Sequence, residues 1–352
     1  MTPAPLRVGA CLSLSGRFGQ FGRQAAAGLQ AWQQLTGDAD LLIEDDHSDP
    51  RHLETVLPSV TARCDLLLGP YSSLLTRTAG RIASEAGRLL WNHGGSGDEA
   101  AWPGHVVSVL TPTADYSRPL IARLQQETPH PVLRIAQGKG TFGRQVAEGA
   151  ETHARANRMI VQRLDADGVF AGAPDGDWVL LTAGTFEHDI AVVSRALQLT
   201  QPPRLICAVA AGVRAFGEAV QRPDGIFGIA QWFPGSLLEA ETGPAEDEFV
   251  ATYSRLQGTP PDYPAVQAAA TAALAVHCAR TAESTSRHSL WTAAAALDTT
   301  TMYGPFTIDP VTGVQTGHDT ILVDWSDGSP RAQREGCRQT KPSPGDAHGR
   351  NA

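Results

Sequence analysis

The chain of 352 residues carries 28 Lys and Arg against 37 Asp and Glu, a formal net charge of −9, with 42% hydrophobic and 18% charged residues. That length suggests about two domains, each large enough for its own core. The acidic balance and the lack of any Lys/Arg cluster argue against a nucleic-acid groove, and no apolar stretch reaches 18 residues, so no membrane span is expected.

The chain opens on an apolar run, Leu6–Leu14, read as a strand, then "SLSGRFGQFGRQAAAG" (Ser13 to Gly28), then a helix over Gln20–Leu35. Strand, glycine turn and helix also open a dinucleotide-binding fold, which needs G-x-G-x-x-G at the turn and an acid about 20 residues on. The acids Glu44, Asp45 and Asp46 are roughly in place, but Gly16, Gly19 and Gly22 are spaced G-x-x-G-x-x-G. Arg17 and Phe18 fill the turn, and Phe18 would crowd a phosphate. Glycines that simply let the turn bend are the preferred reading.

Further strands are expected at Leu41–Glu44, Leu66–Leu68, Leu89–Trp91, Val106–Leu110, Val132–Ala136, Met159–Arg163, Trp178–Thr182, Arg204–Val209 and Ile226–Ala230. Helices fall between most of them, at Arg51–Arg63, Leu74–Ala86, Ser117–Gln126, Phe142–Ala156, Glu187–Gln198 and Val213–Ala219. This alternation of short, fully apolar strands with helices predicts an α/β protein whose parallel sheets are covered on both faces. The rhythm breaks at Pro234. Helices follow at Pro244–Leu256, Pro264–Ser284 and Leu290–Leu297, then "YGPFTIDPVTGVQTGHDTILVDW", read as a hairpin turning at Thr312-Gly313. From Arg331 the chain is polar and rich in Pro, Gly and Ser, and residues 331–352 read as a disordered tail. Two βα blocks, 1–115 and 116–235, are thus joined by the extended stretches "LTPTADYS" and "AQWFPGS", which describes a hinge with a cleft.

This arrangement resembles the leucine/isoleucine/valine-binding protein family, with its type I periplasmic-binding fold. The resemblance covers about residues 6–328 and rests on the order and spacing of several short motifs: "LSGRFGQFG", "EDDHSDP", "LLGPYSS", "GRLLWNHGGSGDEA", "TFG" and "YGPFTIDPVTG". It implies two Rossmann-like lobes joined by three crossover strands, the third in the late hairpin. Lobe one would be about 1–115 plus 236–302, and lobe two 116–235 plus 303–330. It also implies that the first glycine loop bends at the rim of a cleft, with Phe21 as an apolar wall. The family's carboxylate-binding positions match Ser72, Gly95 and Ser96. Ser72, Ser73, Gly94, Gly95 and Ser96 lie in two turns that can converge on one carboxylate or amide oxygen, although Ser72, Ser73 and Ser96 also suit ordinary helix caps.

Lobe two departs from the family. Where its amino-acid binders grip the ammonium with a tyrosine and an acid, this chain has Phe186 and Ala210 or Ala211, while Glu187 and Asp189 read as solvated helix-start residues. Phe21, Phe142, Phe186 and Trp232, with Gln231, suggest a more apolar or neutral ligand, against the commoner role of aromatics in cores. The candidates are a short amide, an aromatic or branched acid, or a modified amino acid. The disulfide that exported relatives carry would match Ser48 and Tyr71, so it is absent here, in keeping with a reducing compartment. The cysteines Cys11, Cys64, Cys207, Cys278 and Cys337 are scattered, never in C-x-x-C spacing, and suggest no zinc site.

No cofactor is implied. His93, Ser96 and Asp98 sit in no pattern that carries a catalytic mechanism, and His93 reads as a loop histidine or a group at the cleft. The expectation is a non-catalytic solute-binding protein that closes on a small molecule. Its partner would be an ABC permease or, if it is a sensor, a cytoplasmic regulator. Met1 leads directly into the first strand with no room for a leader, which suggests a cytoplasmic protein, or a periplasmic or cell-surface one whose leader has been removed.

Overall fold

A computed structural model describes residues 5–127, 131–173, 177–235 and 239–333. Its first half runs β1 (Leu6–Leu12), α1 (Gly19–Thr36), β2 (Ala39–Asp45), α2 (Pro50–Arg63), β3 (Leu66–Leu68), α3 (Ser73–Glu85), β4 (Leu90–Asn92) and β5 (Val106–Ser108). These strands form a wholly parallel sheet ordered β2-β1-β3-β4-β5. Runs such as "LLL" in β3 are buried on both faces, which is why they carry no polar alternation.

The second half holds α4 (Arg118–Gln125), β6 (Val132–Gln137), α5 (Thr141–Ala156), β7 (Val161–Leu164), β8 (Trp178–Ala183), α6 (Phe186–Ala196), β9 (Leu205–Ala208), α7 (Ala215–Ala219) and β10 (Ile226–Ala230). The chain then forms α8 (Glu246–Gln257), α9 (Tyr263–Thr281), α10 (Arg287–Ala296), a ribbon of β11 (Thr299–Thr301) and β12 (Gly304–Phe306), and finally β13 (Ile321–Ser326) and β14 (Ser329–Ala332). The second sheet is ordered β14-β13-β10-β9-β8-β6-β7, with β13 antiparallel to both its neighbours.

α8, α9 and α10 return to the first half. Phe249, Leu274 and Leu290 share a core with Val8, Leu12 and Trp32. α9 approaches α1 so closely that a Cβ on Gly28 would sit 2.2 Å from the Ala265 carbonyl oxygen. α9 starts sharply because Asp262 accepts a hydrogen bond from the Tyr263 N–H at 2.9 Å and Pro264 follows in the first turn.

The chain crosses between the halves three times: after β5, after β10 and between β12 and β13. The crossings are tied to one another. Gln315 Nε2 donates to the Val109 carbonyl at 3.1 Å, and Thr320 Oγ1 to the Tyr116 carbonyl at 2.9 Å.

Two expectations change. The late hairpin does turn at Gly313, whose N–H donates to Asp309 O at 2.8 Å with φ at +74°. Instead of a strand ladder its arms share the isolated bridge Ile308–Gln315 and hydrogen bonds between Thr307 and Thr316, because β12 pairs with β11 whereas β13 belongs to the second sheet. The Ser108 N–H donates to Gly313 O at 2.9 Å, so the turn is pinned to β5 rather than projecting as a free hairpin. Arg331 and Ala332, read as the start of a tail, complete β14 opposite Asp324 and Val323. The rest of that tail, 334–352, lies outside the described residues.

Candidate functional site

A pocket of about 950 Å³ opens between the two halves, where the loops at the carboxyl ends of both sheets face each other. Such crevices are where open α/β sheets bind ligands. The first half contributes Phe18 and Phe21 from the start of α1, Tyr71, Ser72 and Ser73 before α3, Gly94 and Ser96 after β4, and Tyr263 and Gln267 from α9. The second contributes Lys139 to Gln145 around the start of α5, Gly184 to Glu187 around the start of α6, Val209 and Ala210 after β9, and Ile229 and Gln231 at the end of β10.

The two serine and glycine turns do converge. Ser72 N–H donates to Gly94 O at 2.8 Å, and Ser73 Oγ accepts from Gly97 N–H at 2.8 Å. Ser72 also caps α3, accepting from Leu75 N–H at 3.4 Å, with φ at +91°. A non-glycine residue in that region is strained, and such strain persists only where its surroundings enforce it. Ser96 Oγ accepts from Thr113 Oγ1 at 2.9 Å and remains half-buried at the wall.

An aromatic wall adjoins these turns. Phe21 stacks on Tyr71 at 4.7 Å and 9°, and Phe142 meets Tyr116 edge-on at 5.7 Å. The Tyr71 and Tyr263 hydroxyls pair with each other, and burial pushes the Tyr71 phenol up to about 12, so both rings are neutral.

Formal charge is kept to the rim. Arg17, Arg77, Lys139 and Arg144 face Glu99 and Glu187 there, and all are exposed except the half-buried Glu99. In a chain of net charge −9 this mouth is locally positive.

The halves also touch directly. Gln145 Oε1 accepts from Asp98 N–H at 3.2 Å while its Nε2 donates to Glu99 Oε2 at 3.1 Å. Arg214 donates through its N–H to Asp262 at 3.2 Å and through its guanidinium to Pro260 O at 2.7 Å.

Of the residues expected from sequence, Phe21, Ser72, Ser73, Ser96, Phe142, Phe186 and Gln231 all line this pocket. Two expectations are corrected. Gly95 is buried behind the wall, where its N–H donates to Asn92 Oδ1 at 2.9 Å and a Cβ would meet Thr76 Oγ1 at 2.5 Å; Gly94 is the residue at the surface. Trp232 is 3% exposed and belongs to the first core, with its indole N–H on Met302 O at 3.0 Å, because side chains alternate leaving β10 and Gln231 takes the cleft side. Of the two readings of His93, the loop histidine fits: it follows β4, is buried and does not line the pocket, and burial pushes its imidazole down to about 4, so it is neutral.

Asp189 is the larger surprise. Read as solvated, it is fully buried, accepting from Thr182 Oγ1 at 2.9 Å and Ala210 N–H at 3.0 Å. Burial lifts its carboxyl to about 7 against hydrogen bonds from Ala210, Thr182, Gly184 and Val209 that pull it down. It therefore staples together the β8 and β9 loops that form one wall of the pocket. Asp189→Ala strands these buried donors and is expected to cost about 2–4 kcal/mol of stability. Urea unfolding measures this, and a loss below about 1 kcal/mol would show that the staple is dispensable.

Sequence reading missed Tyr116, Tyr263 and Gln267 as wall residues, and took Tyr71 only as the place of an absent cysteine.

No protein-family model matches the chain, and no curated protein matches it in sequence. Its structure is similar to a leucine binding protein, LivK, from Thermotoga maritima, with a TM-score of 0.79 and 14% identity over 94% of this chain and 98% of that one. It is similar to the branched-chain amino acid transporter substrate binding protein LivJ from Streptococcus pneumoniae in complex with isoleucine, with a TM-score of 0.74 and 15% identity over 94% and 99%. A solute binding protein of an ABC transporter from R. palustris in complex with benzoate gives 0.72 and 18% over 94% and 95%. At these identities the likeness shows the fold. The chain has the type I periplasmic-binding fold, as the order of its motifs implies.

Proposed function

We propose that this protein is a non-catalytic solute-binding protein that closes its two halves around a small ligand and delivers it to an ATP-driven permease. The observation that carries this reading is the pocket itself: about 950 Å³, walled by loops of both halves, with Gln145 and Arg214 bridging them. A ligand held by both walls favours the closed arrangement by its differential affinity. The fold neighbours described above, which are named as transporter binding proteins, support it.

In this reading Ser72, Ser73, Gly94 and Ser96 hold a carboxylate or amide oxygen. Phe21, Phe142 and Phe186 supply apolar wall, and Arg17, Arg77 and Lys139 draw anionic or polar ligands to the mouth. Lobe one comprises about 1–115 plus 236–302 and lobe two 116–235 plus 303–330. The packing of Phe306 and Ile308 in the first core favours moving the last change of lobe past Ile308.

The test is a thermal-shift screen with amino acids, short amides, aromatic acids and nucleotides. A true ligand at 100 times its Kd adds about 2.7 kcal/mol and raises the melting temperature by several degrees. A hit among acids or amides, with none among nucleotides, is the expected outcome. A shift with NAD or ATP alone would overturn the reading and return the Gly16–Gly22 loop to a phosphate role.

A further inference from the structure

Two glutamines at the pocket wall are each left with one unpaired amide atom. Gln231 is 5% exposed and Gln267 fully buried, and both line the pocket. Between them stands the Tyr303 hydroxyl, which accepts from Gln267 Nε2 at 2.7 Å and donates to Gln231 Oε1 at 2.7 Å. That leaves Gln231 Nε2, a donor, and Gln267 Oε1, an acceptor, buried with no partner among the described residues. One hydroxyl gives one hydrogen bond and takes one here. Reversing both side-chain amides therefore still leaves one free donor and one free acceptor. Orphaned groups of this kind are costly in a folded protein and call for a partner.

We infer that Gln231 and Gln267 form a subsite for a neutral group bearing an acceptor and a donor side by side, a primary carboxamide or urea, carried on a small apolar ligand. This rests on the pocket being the ligand site and names the ligand's chemical class. A carboxylate is complementary to Gln231 Nε2 but sets a charged oxygen against Gln267 Oε1. A carboxamide satisfies both: its carbonyl accepts from Gln231 and its N–H donates to Gln267. Among the described residues, no cation lies among the contacts of these two side chains to compensate a carboxylate.

The subsite also reaches the crossovers. Gln231 stands at the start of the second crossing, and Tyr303 stacks at 4.1 Å on His318 of the third. The His318 ring is hydrogen-bonded to Thr111 of the first at 2.6 Å. A group bound by the glutamines thus adjoins a chain of contacts that passes through all three.

Calorimetric titration of the full chain with matched pairs tests this: benzamide and benzoate, isovaleramide and isovalerate, leucinamide and leucine. At least one amide should bind about tenfold or more tighter than its acid. Gln231→Met and Gln267→Met should each weaken that amide about tenfold or more while changing the acid's affinity less than about threefold. The wild-type preference needs no variant to fold. Acids that bind equally well or better, or an amide indifferent to both substitutions, would overturn the inference. Acids binding in a manner lost in Ser96→Trp, with no amide binding, would sink the amide subsite and leave the ligand pocket standing. No binding by any member of the three pairs would also overturn the subsite, and the wider screen then decides whether the pocket binds anything.

Discussion

Ser96→Trp is expected to weaken binding of the tightest ligand from the thermal-shift screen by about 100-fold or more, a loss of about 2.7 kcal/mol in binding free energy. Ser96 lies at the wall, half-buried, on the turn that meets Ser72 and Ser73. An indole there occupies the space the ligand needs beside the serines. It also stands between the halves, where Thr113 of the first crossing already touches the Ser96 hydroxyl. The fold should lose little, because the substitution removes the hydrogen bonds of the Ser96 hydroxyl with Thr113 and Tyr116, each worth about 1 kcal/mol, and adds apolar contact with nearby rings. The contrast between binding and stability is the diagnostic part. Calorimetry and urea unfolding on the same preparation measure both. Unaltered affinity would move the ligand site elsewhere, whereas lost affinity with lost folding would say nothing specific about the cleft.

What the sequence made legible follows from what kinds of physics are local. Strands such as Val132–Gln137 and Trp178–Ala183 are short buried runs between amphipathic helices, and that pattern is visible without coordinates. In the glycine-rich opening, the expectation that Phe18 fills the turn is local too, and in the structure Phe18 lines the pocket. Neighbouring positions were harder. Gln231 and Trp232 both follow β10, and only the alternation of side chains leaving that strand decides that the polar residue faces the cleft and the indole the core. Gly94 and Gly95, adjacent in one turn, pose the same problem. Both follow Asn92, whose side chain holds Gly95 inward.

Asp189 shows the harder limit. On α6 it stands two residues from Glu187, and both read as helix-start acids. Its partners lie on β8 and after β9, 7 and 21 residues away, so the burial of one acid and not the other is a tertiary fact. Gln267 left a weak signal: a long polar side chain inside an Ala-rich helix buried on nearly every face. Such a residue needs a partner, and Tyr303 supplies one from 36 positions away.

A loss of stability comparable to that for Asp189→Ala is expected where a helix that builds the pocket meets main chain with no room between them. On α5, Gly149 faces the short turn Thr113–Asp115 in the first crossing, and a Cβ there would lie 1.9 Å from the Ala114 carbonyl oxygen and 2.6 Å from its carbon. No side chain can swing aside to relieve that overlap, because the obstacle is main chain. Gly149→Ala gains up to about 1 kcal/mol of helix propensity, yet overpacking against a rigid backbone should leave a net loss of about 2–3 kcal/mol. Gly149→Leu should lose more. The same helix carries Phe142 at its start and Gln145 against Asp98 and Glu99, so lifting it off the crossing also displaces one wall of the pocket. Ligand affinity should therefore fall together with stability, unlike the outcome for Ser96→Trp. Thr152→Ala, at an exposed position on this helix, should stay within about 0.5 kcal/mol of wild type and controls for helix propensity. Urea midpoints for the three variants decide it. If Gly149→Ala is as stable as Thr152→Ala, α5 does not rest on the Ala114 backbone in solution, and the pocket wall it carries is placed differently.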